Sequence, residues 1–143
     1  LGIPAVRGVE FGLGFEAATL TGKEALDAIV PDAKTGFRRA TNRAGGLEGG
    51  MTTGETLIIR AAVKPVPSQA IPMGSVDLAT LEAAVAPVSR TDVCAAPAAA
   101  IIAEGEVAFV LARAYLEKFG GDCVGDIKSA LRQYKSRLKL MAR

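Results

Sequence analysis

Four cations lie around a glycine-rich segment, and their chemistry suits an anionic ligand. They are Arg43, Arg60, Lys64 and Arg90. Guanidinium groups bind carboxylates and phosphates through paired hydrogen bonds, so a cluster of these cations would hold a phosphorylated or multiply anionic molecule. The alternative is that each is a solvated surface charge, and this alternative is favoured for Arg43 and Arg60 taken singly.

Asp92 and Cys94 are the other candidates for chemistry. A carboxylate beside Arg90 can be oriented by the guanidinium or can cap the helix that follows, and spacing alone favours the cap. A cysteine nucleophile needs an activating base, and the chain contains no histidine. We therefore expect Cys94 to be a buried structural thiol.

The segment 42–54 contains five glycines, including two Gly-Gly pairs. Glycine in a helix or strand interior costs about 0.5–1 kcal/mol relative to alanine, so these pairs indicate positive φ or a close backbone approach. Exposed amides in such a loop form a donor surface for phosphate or carbonyl oxygens, and we predict a ligand contact there. The alternative is a structural turn joining two strands, because neither G-x-G-x-x-G nor a P-loop is present.

Composition narrows the class of protein. With 143 residues, half of them apolar, the chain fits one domain, and a net charge of +2 gives no argument for a nucleic-acid partner. Cys94 and Cys123 lack metal-site spacing and predict reduced thiols in a cytoplasmic protein. Glu104 and Glu106 interrupt the most apolar run, so we predict no membrane partner. The chain begins at Leu1 with no cap or leader, which suggests part of a longer protein.

Strands and helices alternate along the chain. The predicted elements are a strand over 6–11, a helix from Thr21 to about Pro31, a polar connection over 32–41, a strand over 55–64, an ambiguous segment over 75–87, and helices over 96–119 and 124–141. The helix over 96–119 is apolar almost all round, which predicts burial, and Gly120-Gly121 ends it. The last helix carries a basic face, which a solvated amphipathic helix explains better than a polyanion-binding surface.

Three motifs in order identify a family. The segments are NRAGGLEGGM at 42–51, KPVPS at 64–68 and RTDVCAAP at 90–97, with IPAVRGVE at 3–10 and LEKFGGD at 116–122 in support. Together they closely resemble the C-terminal part of chorismate synthase. The resemblance covers residues 1–143 as the C-terminal portion of one domain, except for the terminal basic amphipathic helix at 124–143. It implies an α+β fold, the β-α-β sandwich of this family.

The resemblance also implies an activity. Chorismate synthases are lyases of the shikimate pathway that eliminate phosphate from 5-enolpyruvylshikimate 3-phosphate in an anti-1,4 sense, giving chorismate. They require reduced FMN, which is not consumed overall, and NADPH is a possible reductant. The family implies a cytoplasmic homotetramer that acts on a small molecule, with no nucleic acid and no membrane as partners.

Site residues carry over position by position from the family's motifs. The resemblance implies that the backbones of Ala5 and Gly49 approach the flavin, that Arg43 binds substrate and that Arg90 lies on flavin or substrate. Asp92 becomes the acid–base partner near the flavin N5, which replaces the cap interpretation. The remaining cofactor-binding positions are Lys64, Pro65, Val66, Pro67 and Ser68.

One departure from the family is large. The N-terminal half, with a Gly-Glu-Ser-His-Gly-type motif and two histidines that act as acids, has no counterpart in this sequence. We therefore expect these residues alone to be inactive. The alternative function is a non-catalytic module that binds an anion or nucleotide through the glycine segment and the cations.

Overall fold

The computed structural model describes residues 1–33, 35–67, 70–88 and 93–141 and shows short strand pairs followed by two long helices. A 3-10 helix covers Gly14–Thr19. The other elements are β1 Val6–Phe11, α1 Gly22–Ala25, β2 Ile29–Asp32, β3 Gly36–Arg39, β4 Leu47–Glu48, β5 Met51–Thr52, β6 Ile59–Val63, β7 Gly74–Val76, β8 Ala83–Val85, α2 Ala96–Phe119 and α3 Val124–Met141.

Within the described ranges the strands form four separate two-stranded antiparallel sheets. Three are local hairpins, β2–β3, β4–β5 and β7–β8, whereas β1 pairs with the distant β6. The register of the β1–β6 pair runs from Val6 opposite Val63 to Phe11 opposite Ile59. The strand predicted over 6–11 is confirmed, and the strand predicted over 55–64 is confirmed only for its second half.

The helix predicted from Thr21 to Pro31 is wrong beyond Ala25. The Glu24 carboxylate accepts the Thr21 N–H at 2.9 Å and starts the helix, but Leu26 is already extended, with φ −83° and ψ 150°. The following residues pair with β3 instead, and this strand includes Pro31. A two-stranded sheet has open edges, so a proline there loses no ladder hydrogen bond.

Hairpins also occupy two segments for which the sequence predicts a polar connection or gives no clear element. The connection over 32–41 contains β3, and the Thr35 N–H donates to the Asp32 carboxylate at 2.8 Å in the turn before it. The segment over 75–87 contains most of the β7–β8 hairpin. Short polar or alanine-rich strands carry little alternation of apolar and polar residues, so periodicity does not reveal them.

The two long helices have the predicted bounds and pack as a hairpin. Gly120, with φ +60°, ends α2. The Phe119 ring lies 5.6 Å from Tyr115 and 5.7 Å from Tyr134 of α3, measured between ring centroids. No described helix has both the length and the apolar character needed to cross a bilayer.

The predicted burial of α2 is wrong for this chain. Ala99 is its buried hydrophobic residue in the described ranges, whereas Ile101 and Phe109 are each 70% exposed. A helix buries its faces only where other elements cover them, and α3 covers one end of α2. Cys94, which the sequence predicts to be a buried structural thiol, is exposed.

Candidate functional site

The carboxylate of Asp27, in the same chain, holds the first half of the glycine segment. Asp27 accepts the N–H groups of Arg43 at 2.8 Å and Ala44 at 2.9 Å, and it also accepts the Thr41 hydroxyl. These amides were expected to face a ligand. Because Asp27 already occupies them, the predicted donor surface is wrong for this part of the loop.

The buried Gly45-Gly46 pair is packed against other backbone. A Cβ on Gly45 would lie 2.6 Å from the Gly12 Cα, and one on Gly46 would lie 2.7 Å from the Thr56 carbonyl oxygen. Both residues have positive φ, at 67° and 81°. The close approach inferred from sequence is therefore real, but its partner is the chain itself rather than a ligand.

The second pair, Gly49-Gly50, forms the turn between β4 and β5. Their φ values are 56° and 76°, and positive φ at both central residues is the pattern of a two-residue type I′ hairpin. The alternative of a structural turn joining two strands is thus confirmed here. A Cβ added at Gly49 would meet nothing within 4 Å, so its backbone is approachable, as a flavin contact would require.

Two of the four predicted cations, Arg43 and Arg60, are bound to other parts of the chain. Arg60 forms an ion pair with Glu10 at 2.7 Å and donates to the Gly12 carbonyl at 2.9 Å. Arg43 donates to the carbonyl of Glu24. Arg60 and Lys64 lie four residues, about 13 Å, apart along the extended chain. Arg90 lies outside the described residues.

Ala5 and Lys64 come together at the other end of the β1–β6 pair. The Lys64 N–H donates to the Ala5 carbonyl at 2.8 Å, and Ala5 has φ +69°. A positive φ costs an alanine about 1–2 kcal/mol, and such strain is concentrated at functional sites. The Lys64 side chain is exposed, as are Pro65 and Pro67, so this end of the pair is open to a ligand.

The predicted site residues are therefore only partly brought together. Ala5 lies against Lys64, and Pro65, Val66 and Pro67 follow Lys64 along the chain, while no hydrogen bond among the described residues joins Gly49 to Ala5 or Lys64.

Ser68, Arg90 and Asp92 lie outside the described residues, and their assignments stay predictions. The N-cap residue of α2 is Ala95.

Asp27 is the residue that sequence reasoning missed. It precedes its partner Arg43 by sixteen residues, and the β2–β3 hairpin between them returns the chain to make the contact. No motif links the two positions. In the described part of the chain, no group of three or more His, Cys, Asp or Glu residues could hold a metal ion.

The hydrogen bonds to Asp27 predict a pH dependence of stability. Burial raises the pKa of Asp27, but hydrogen bonds from Thr41, Ala44 and Arg43, with the Arg43 charge, outweigh it and lower the pKa overall. A lowered folded-state pKa stabilises the fold above the unfolded value, about 3.9, and this stabilisation is lost as the pH falls through the folded pKa.

We therefore expect the stability difference between wild type and Asp27→Asn to be full at neutral pH and to shrink below about pH 4. Urea unfolding from pH 3 to 7 measures it. A difference that stays constant to pH 3 contradicts the assignment.

The fold and site define an α+β protein with a cationic, extended segment beside a strained alanine. The chain belongs to the chorismate synthase family, because the family model described as chorismate synthase matches residues 1–116. It is 52% identical to the chorismate synthase of Moorella thermoacetica, over 97% of this chain and 36% of that protein. It is 50% identical to the chorismate synthase of Thermus thermophilus, with the same coverage.

A solved structure supports the same family. This chain superimposes on a crystal structure of chorismate synthase with a TM-score of 0.75 and 36% identity, over 96% of this chain and 34% of that one. The α+β prediction is thus confirmed. The chain spans about a third of the length of the relatives it matches.

Proposed function

We propose that a longer protein carrying these residues makes chorismate from 5-enolpyruvylshikimate 3-phosphate by anti-1,4-elimination of phosphate. The substrate loses its phosphate and a proton and gains a carbon–carbon double bond. The observation that carries the proposal is the surface made by Ala5 and Lys64 to Pro67, which lies in the family's motifs and is open to a ligand. Family membership supports the reaction class.

The described residues of this surface fit a flavin mononucleotide. Lys64 offers an exposed cation for the phosphate, and Pro65 and Pro67 offer apolar surface without N–H donors for the ring. Ala5 and Gly49 are positions where backbone can approach the cofactor, the first through its strained conformation. Reduced FMN, when bound, would lend the substrate an electron that returns to the flavin, so the cofactor is not consumed overall. Ser68 and Arg90 complete the proposed binding set.

Two further residues have proposed roles toward substrate. Arg43 binds one of the anionic groups of the substrate, and Asp92 holds or moves a proton near the flavin N5.

We further propose that the whole protein is a cytoplasmic homotetramer, as the family resemblance implies. NADPH is the candidate reductant. Adding NADPH and oxidised FMN under anaerobic conditions, with no other reductant, tests whether the protein reduces the flavin itself.

The proposal predicts chorismate formation by the full-length protein. Purified protein, reduced FMN and 5-enolpyruvylshikimate 3-phosphate under anaerobic conditions should give chorismate and phosphate in equal amounts. The 143 residues expressed alone are the comparison, and we expect no turnover above the protein-free background. They span about a third of the relatives' length and contain no histidine to act as an acid.

The result that would overturn the proposal is a full-length protein that binds no flavin and forms no chorismate. Salt-sensitive binding of heparin by the same protein would then favour the anion-binding module. One observation favours the enzyme over that alternative, because Asp27 already accepts two of the loop amides, those of Arg43 and Ala44, that such a module would use.

A further inference from the structure

Arg43 is held from two directions by the segment 21–27. Asp27 fixes its backbone N–H and that of Ala44, while the Glu24 carbonyl accepts its side chain. Glu24 is itself fixed, since its carboxylate accepts the Thr21 N–H at 2.9 Å and the Thr21 hydroxyl at 2.8 Å. The segment 21–27 therefore holds both the backbone and the side chain of Arg43.

The guanidinium of Arg43 makes no ion pair at contact distance within the described part of the chain, although its charge acts on the nearby carboxylates of Glu24 and Asp27. Other arginines are paired: Arg39 with Glu48 at 2.5 Å and Arg60 with Glu10 at 2.7 Å. No ion pair among the described residues joins Arg43 to Asp27 or Glu24. Both Asp27 oxygens accept hydrogen bonds from other groups, so Asp27 fixes the Arg43 backbone while its charge acts on the guanidinium only from beyond ion-pair distance.

We infer that Asp27 is a positioning residue for Arg43, which it holds so that the guanidinium, free of any contact-distance ion pair among the described residues, binds a phosphate or carboxylate of the substrate. This inference rests on the proposed function, in which Arg43 is a substrate-binding residue. A purely structural Asp27 would stabilise the loop but would leave substrate affinity unchanged. The distinguishing quantity is therefore KM, measured beside kcat and stability.

The change Asp27→Asn puts an amide NH2 against the backbone N–H of Arg43 or of Ala44, depending on which oxygen it replaces, and releases the loop. In the full-length protein we expect KM for 5-enolpyruvylshikimate 3-phosphate to rise about tenfold with kcat within about twofold, because ground-state positioning is lost. Asp77→Asn is the matched control. Asp77 also accepts two backbone N–H groups, from Ala79 and Thr80, but in the β7–β8 turn. Its substitution should leave KM unchanged.

A double-mutant cycle tests the route through Arg43. Arg43→Ala alone should raise KM, and adding Asp27→Asn should raise it no further. If Asp27→Asn fails to fold, Thr41→Val, which removes one donor to Asp27, should raise KM about two- to threefold in a folded protein.

Three outcomes overturn the inference. The first is an unchanged KM in folded Asp27→Asn or, if that variant does not fold, in folded Thr41→Val. The second is a double variant whose KM increase is the product of the two single increases. The third, a wild-type protein that makes no chorismate, overturns the proposed function and this inference with it. If the wild-type protein is active and KM does not change on substitution of Asp27, the inference is overturned but the proposed function is not.

Discussion

Replacing Gly12 by alanine should destabilise the protein by about 3 kcal/mol more than replacing Gly49 by alanine. The two glycines have the same φ, +56°, so the cost of placing an alanine in the left-handed region, about 1–2 kcal/mol, is common to both. Their surroundings differ. A Cβ at Gly12 would overlap the Arg43 carbonyl oxygen and lie 2.5 Å from the Gly45 nitrogen, whereas one at Gly49 would meet nothing within 4 Å.

The added methyl at Gly12 would push apart three backbone segments. The Gly12 N–H donates to the Ile58 carbonyl at 3.0 Å, and the Leu13 N–H donates to the Arg43 carbonyl at 2.7 Å. Both hydrogen bonds would lengthen or break. Urea unfolding of the full-length variants, with m-values compared, measures the difference. Equal losses in Gly12→Ala and Gly49→Ala would show that the surrounding backbone relaxes and that only the φ preference matters.

Asp92→Asn should lower kcat for chorismate formation by at least about 100-fold while flavin binding is retained. Asparagine keeps the size and shape of aspartate but cannot take up or release a proton at physiological pH. General acid–base groups contribute about 10²–10⁴-fold to rate, so a lost proton-transfer group has an effect of this size. Flavin titration and steady-state rates under anaerobic conditions measure both quantities.

The helix-cap interpretation of Asp92 predicts a different result. A lost cap would cost about 1 kcal/mol of stability and leave kcat unchanged. Asp122→Asn is the control for the chemical change itself, because Asp122 is exposed just after α2 and has no proposed role. A kcat for Asp92→Asn equal to that of Asp122→Asn would remove Asp92 from the proposed chemistry.

The elements that could be predicted from the sequence are those determined by residues close together in the chain. The apolar and alanine-rich run of α2 and the glycines after Phe119 lie next to one another in sequence, so both the extent and the end of this helix could be predicted. The same holds for β1, whose residues alternate with period two. Gly49-Gly50 predicted positive φ correctly, because only backbone preference is involved.

Features that depend on packing could not be predicted. Ile29 and Val30 have the spacing of a short helix, yet pairing with β3 makes them a strand. The contact of Asp27 with Arg43 depends on a hairpin folding back, which no spacing rule contains. The exposure of α2 depends on which elements cover it. An apolar sequence indicates only that some element should cover the helix, and it does not identify that element.

The β1–β6 pairing imposes an order on folding. Residues 12–58 lie between the two strands, whereas β2–β3 and β4–β5 close through turns of two or three residues. Closing the longer loop costs about 2 kcal/mol more chain entropy than closing a short turn. The local hairpins can therefore form within microseconds and the outer pair closes around them later. Gly12 lies where that late closure is completed, so its substitution should mainly speed unfolding.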